Sequence, residues 1–185
     1  MATLPKTGTV TYEEWLRMPV VKEGREEVVN GEIRIMPPNK MPHPKVMRAL
    51  QLMFLQQLDL TTTEFFASTF GLIIRSEPLT CRAPDIAVFE HSTMIERDGY
   101  IHSAPQLAIE VLPPSETRKE ITEKLRDYES IGIAEVWLVS PEAATVEVLK
   151  LEDGKLRRSA LLAEGILRPK HFTNVEIVIT RIWPD

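Results

Sequence analysis

The stretch from Gln106 to Val139 constrains the fold more than any other part of the chain. Gln106-Leu-Ala-Ile-Glu-Val-Leu112 reads as a strand, apolar at most positions. A helix is expected over Glu116–Ile131, with Ser115 as its N-cap after Pro113-Pro114 and Gly132 as its stop. Glu135-Val-Trp-Leu-Val139 is a second apolar run, suited to an inner strand. A strand, a helical crossover and another strand in succession imply a parallel pair within a mixed sheet.

The remaining elements fit around that unit. Residues 12–18 read as a short helix ended by Pro19, and Glu26–Met36 as a hairpin turning at Asn30-Gly31. That dipeptide suits a type I′ turn, which needs positive φ at both central residues. A helix is expected from Pro44 to Leu58, with Val46, Ala49, Leu50, Met53 and Leu58 on its apolar stripe. Strands are expected at Glu64–Ile74 and Asp85–Phe89, and two or three more in the tail around an Asp153-Gly154 turn. The fold class is α/β (α+β): a mixed sheet flanked by helices, with an N-terminal hairpin. At 185 residues, 43% hydrophobic and 26% charged, the chain has the balance of one globular domain spanning 1–185.

Composition narrows the function classes. One cysteine, Cys81, allows neither an internal disulfide nor a cysteine-rich zinc site, and reads as a small buried hydrophobe. Met1-Ala-Thr-Leu-Pro-Lys lacks a signal-peptide pattern, and no apolar run approaches the ~18 residues of a membrane span. A cytoplasmic protein without a membrane partner is expected. The net charge of -5 has the wrong sign for non-specific coating of nucleic acid, so any such contact must come from a local site.

Such a site is suggested by two acids and a lysine. Asp85 opens its strand on the face of small Ala87, with Ile86 and Val88 on the other face. Glu110 shares a face with Ala108, opposite Leu107, Ile109 and Val111. A carboxylate in such an apolar strand is costly unless paired, hydrogen-bonded or metal-bound. Adjacent strands would bring both acids to one gap, which suits a hard divalent cation such as Mg²⁺ or Mn²⁺. On the following helix Ile121, Leu125, Tyr128 and Ile131 form an apolar stripe, and Lys124 falls inside it at about 300°. Glu120 is within i,i+4 reach of that lysine. Two acids and a semi-buried lysine supply what metal-assisted phosphodiester cleavage needs.

Several ordered segments carry a resemblance. Pro84-Asp85, Glu110-Val-Leu112, the helix with Lys124 and Tyr128, and Gly132-Ile-Ala-Glu-Val-Trp-Leu-Val139 together resemble the Uma-two family of putative restriction endonucleases, of the PD-(D/E)xK nuclease superfamily. Glu27-Val-Val-Asn-Gly-Glu-Ile33 and the proline-rich approach to His43 extend the similarity over roughly residues 12 to 150. The resemblance implies a restriction-endonuclease-like fold, DNA as substrate, and a homodimer by analogy with the superfamily. It makes Asp85 and Glu110 metal-binding acids; Leu112 stands where the superfamily's usual lysine would be, and Lys124 matches the catalytic lysine that the family instead carries on the following helix. It adds Glu27 as a further acid that reaches the site, and His43 without a role. Pro114, Glu120 and Ser140 depart from the family's usual serine, aspartate and aspartate.

Each residue also has a plainer reading. Pro-Asp is common turn chemistry, Lys124 could snorkel to solvent, and Glu27 would form a cross-strand ion pair with Arg34. His43, between two prolines, reads as a loop residue. Arg157-Arg158 and Arg118-Lys119 read as solvated faces, and the three tryptophans as core or rim. The rival function is a non-catalytic nucleic-acid-binding or interaction module that keeps the nuclease fold. The acidic charge and Leu112 favour the rival; Lys124 in the apolar stripe favours the enzyme.

Overall fold

The computed structural model describes residues 9–19, 25–67 and 70–184. Helix α1 (Tyr12–Leu16) starts on a capping box in which Thr11 and Glu14 bond each other's backbone N–H. Strands β1 (Arg25–Val29) and β2 (Glu32–Met36) form the expected hairpin, with φ of 52° at Asn30 and 81° at Gly31. Helix α2 (His43–Leu55) leads into β3 (Thr63–Ala67), β4 (Leu72–Ser76), β5 (Leu79–Arg82) and β6 (Ile86–Glu90). The short strands β7 (Glu96–Arg97) and β8 (Tyr100–Ile101) precede β9 (Leu107–Val111), helix α3 (Arg118–Ile131) and β10 (Glu135–Ser140). The tail holds β11 (Thr145–Glu152), β12 (Lys155–Leu162), β13 (Ile166–Leu167), β14 (Ile177–Val178) and a 3-10 turn at Ile179–Arg181.

Two larger sheets share the chain. One has the order β2-β1-β5-β4-β8-β7, the other β12-β11-β10-β9-β6-β3. In the second sheet β9 and β10 are parallel, with Glu110 level with Leu138, and α3 is their crossover. The strand–helix–strand unit thus folds as its succession requires.

Helices cover both faces of this second sheet. Val46, Leu50 and Phe54 of α2 pack with Ile86, Val88, Leu107, Ile109 and Val111. Ala87, Phe89 and Ala108 pack instead with Tyr128 of α3 and with Ile133. The alternation of β6 and β9 is therefore complete, and both faces exclude water. Burial of Leu50 and Phe54, each without exposed surface, contributes about 1.5–3 kcal/mol per side chain and anchors α2.

Several expected boundaries shift, α1 ending at Leu16 rather than residue 18 among them. Glu64–Ile74 is not one strand: β3 pairs with β6 and β4 with β5, in different sheets. The break falls near Gly71, where a Cβ would lie 2.6 Å from the Tyr100 ring. Helix α2 stops at Leu55, short of Leu58. Helix α3 is capped by Thr117 rather than Ser115, because Thr117 and Glu120 form a reciprocal capping box. Gly132 ends α3 as expected, left-handed at φ 81°. No helix among the described residues is long and apolar enough to cross a membrane.

Candidate active site

Strand β5 passes into β6 through the short link Ala83-Pro84-Asp85, which carries the chain from the first sheet to the second. Strand β1 grips that link at two points. Arg25 and Glu27 alternate on one face of β1. Glu27 accepts the Ala83 N–H at 3.2 Å and pairs with the Arg82 guanidinium at 2.8 Å. Arg25 pairs with Asp85 at 2.6 Å.

Asp85 lies one step beyond the last rung of the β6–β9 pairing, where Ile86 faces Ile109. The same register carried one residue further brings Asp85 level with Glu110. Asp85 Oδ2 accepts the Val111 N–H at 2.8 Å and stands 3.2 Å from His43 Nε2, at the first residue of α2. Burial raises the Asp85 pKa, but the His43 hydrogen bond, the Arg25 charge and the Val111 N–H together outweigh it, and the carboxyl sits below its ordinary value.

Glu110 points to the α3 side of the sheet. Lys124 Nζ donates to its Oε2 at 2.9 Å, and the Tyr128 hydroxyl donates to its Oε1. The two donors come from consecutive turns of α3, so one helix face closes over one carboxylate. Lys124 Nζ also stands 3.3 Å from Glu116. Burial pushes the Glu110 carboxyl up to about 7, with the Asp85 charge adding to it and Lys124 opposing it. Burial alone would lower the Lys124 pKa, but Glu110, Glu27 and Glu116 hold it above its ordinary value.

Asp85, Glu110 and Lys124 are thus all buried within one cluster of charges. Glu27 is equally buried but stands at its edge, both of its oxygens taken by Arg82 and Ala83. Its backbone is level with Arg34, yet no ion pair joins them: Arg34 turns to Glu123 at 2.7 Å. Glu120 likewise turns away from Lys124 to cap its own helix, and Glu116 takes its place. His43 is a buried helix residue against Asp85, not a loop residue. Arg25 escaped the sequence reading, although its i,i+2 spacing from Glu27 was the signal that could have found it. Arg82, only 3% exposed, was equally overlooked and pins β1 to α3 through Glu27 and Asp127.

The donor set suits a hard divalent cation. Two carboxylates from neighbouring strands offer only oxygen, and burial raises the Glu110 carboxyl, with the Asp85 charge adding to it. No group of three or more His, Cys, Asp or Glu side chains is gathered for a metal among the described residues. The site therefore fits a cation held by one or two carboxylates, with water or substrate oxygens completing the shell, as Mg²⁺ commonly is.

No curated protein matches the chain. A crystal structure of a putative nuclease belonging to DUF820, from Anabaena variabilis, superposes with a TM-score of 0.76 at 20% identity. The match covers 94% of this chain and 97% of that one, and it shows a shared nuclease-like fold. The family description Uma2, putative restriction endonuclease, matches residues 12–179, and restriction-endonuclease-like families generally use divalent metals. By that match this chain belongs to the Uma2 family, and its membership supports a nuclease function.

Proposed function

We propose that the protein is a Mg²⁺- or Mn²⁺-dependent endonuclease that hydrolyses phosphodiester bonds in DNA. One observation carries the reading: Asp85 and Glu110 are buried at adjoining strands, and the Lys124 ammonium stands 2.9 Å from Glu110. Asp85 and Glu110 would hold the cation, which supplies Lewis-acid polarisation of a phosphoryl oxygen when bound.

The chain's own residues do the rest. Val111 and His43 orient Asp85; Tyr128 orients Glu110. Lys124, charged throughout the physiological range, carries the positive charge that orients a water or stabilises charge developing on the phosphate. Glu27 acts through Arg82 and through its charge, which reaches both Glu110 and Lys124. A homodimer, by analogy with the superfamily, would place two such sites on opposite strands of a duplex.

A second reading has its own observation. Every buried acid of the cluster already has a cation: Arg82 for Glu27, Arg25 for Asp85, Lys124 for Glu110. That pattern also suits a non-catalytic module that keeps the fold and binds nucleic acid or another partner. Incubation with plasmid, linear duplex and single-stranded DNA in Mg²⁺ or Mn²⁺ separates the two. The nuclease reading expects cleavage that chelation, Asp85→Ala and Glu110→Ala each abolish. Intact substrate with wild type in every metal and substrate combination favours the module.

A further inference from the structure

Three cations sit among the buried acids, and they are not alike. Arg82 is 3% exposed and is held by Glu27 and Asp127. Lys124 is 8% exposed and is held by Glu110 and Glu116. Arg25 is 20% exposed and, among the described residues, meets a single carboxylate, Asp85, through one nitrogen. Its other terminal nitrogen faces, among the described residues, the Met36 sulfur at 3.9 Å, a weak acceptor. A guanidinium has five N–H donors in a planar fork. Among the described residues only these two contacts use it, and a fifth of the side chain is open to solvent.

Charge leads to the same residue. Arg82 and Lys124 each answer at least two carboxylates, Glu27 with Asp127 and Glu110 with Glu116, whereas Arg25 answers Asp85 alone among the described residues. A divalent cation entering that set adds two positive charges, and it competes for the Asp85 oxygen that Arg25 occupies. Repulsion between the ion and the guanidinium favours release of Arg25, the most exposed of the three and, among the described residues, the one with the fewest carboxylate partners. The cation and the freed guanidinium then favour an anion between them, and a released planar fork matches the two free oxygens of a phosphodiester.

Resting on the nuclease reading, we propose that Arg25 is a two-position residue: counter-ion of Asp85 in the metal-free protein, and ligand of a nucleic-acid phosphate once a divalent cation takes Asp85. Metal and substrate are then coupled through one side chain. The Arg25 pair weakens metal binding in the absence of nucleic acid and strengthens nucleic-acid binding in its presence.

Arg25→Met tests this, since it keeps the length of the stem beside Met36 and removes the charge. Two affinities are measured: Mn²⁺ alone by titration calorimetry, and a duplex oligonucleotide by fluorescence anisotropy in Ca²⁺. The variant is expected to bind Mn²⁺ about tenfold more tightly and the oligonucleotide about tenfold more weakly than wild type. The opposite signs are the signature, because loss of a merely structural arginine lowers both affinities or moves neither. Equal or weaker Mn²⁺ binding by the variant overturns the proposal and leaves the metal centre standing, as does unchanged oligonucleotide binding. If neither protein takes up Mn²⁺, the metal-centre reading falls together with the proposal.

Should Arg25→Met fail to fold, wild type provides the test by nuclear magnetic resonance. The Arg25 Nε–H signal, identified by its absence from Arg25→Lys, is followed as Mg²⁺ is added. A signal that shifts as the metal binds supports release. A signal unmoved at saturating metal overturns it.

Discussion

The backbone N–H of Val111 donates to Oδ2 of Asp85 at 2.8 Å. The acid of one strand is therefore held by the residue that follows the acid of the next. Any movement of β9 that displaces Glu110 displaces the support of Asp85, and the two carboxylates keep their spacing as a unit.

Asp85→Asn should destabilise the metal-free protein at neutral pH. Asp85 has paired donors on both oxygens, so the loss of its charge leaves Arg25 without a counter-ion. Its folded pKa is depressed below the ordinary 3.8. That contribution is present above the unfolded value and is lost as pH falls through the folded one. A loss of about 1–3 kcal/mol at pH 7 is expected from denaturant titration, together with loss of Mn²⁺ binding. Equal stability of variant and wild type would mean that the Arg25 pair contributes nothing.

Glu110 should act in the opposite direction. Its folded pKa lies at about 7 against an ordinary 4.5. Its contribution is full below 4.5 and is lost as pH rises to 7, so the metal-free protein is weakened over that window. The loss approaches about 3 kcal/mol at most. Melting temperatures of wild type and Glu110→Gln, followed across that window, should diverge: wild type falls relative to the variant, and saturating Mn²⁺ returns part of the loss. Parallel curves would show that Glu110 titrates normally.

Lys124→Met should remove cleavage and spare metal binding. The methionine keeps the packing of the stem, and only the charge is lost. Glu110 is then left with Tyr128 alone, so the metal-free variant should melt lower than wild type above pH 7, with Mn²⁺ restoring much of the difference. The decisive comparison is turnover at saturating Mn²⁺. Equal turnover in the variant would make Lys124 a counter-ion of Glu110 and nothing more.

What the sequence makes legible is local. The Asn30-Gly31 turn, the stop of α3 at Gly132 and the Lys124 position in the apolar stripe each follow from a few neighbouring residues, and the structure holds all three. What it hides is pairing between elements far apart in the chain. Glu27 has Arg34 opposite it on the hairpin, yet its partner is Arg82, because the β1–β5 contact brings a buried guanidinium closer than an exposed one. His43 and Arg25 reach Asp85 across 42 and 60 residues, and no spacing rule spans such distances. The single strand expected over Glu64–Ile74 failed for the same reason: its hydropathy was right, but pairing partners decide which sheet a strand joins.

The β9–α3–β10 crossover also has a bearing on the order in which the cluster is built. Lys124 and Tyr128 lie 14 and 18 residues from Glu110, while the Asp85 contacts span 26, 42 and 60. Short loops close at lower entropic cost, so the Glu110 half is expected to form with the crossover, ahead of the contacts that wait for the hairpin. Opening of the hairpin alone would bare Asp85 while leaving Glu110, Lys124 and Tyr128 clasped, so amide exchange should be faster in β1 than in β9.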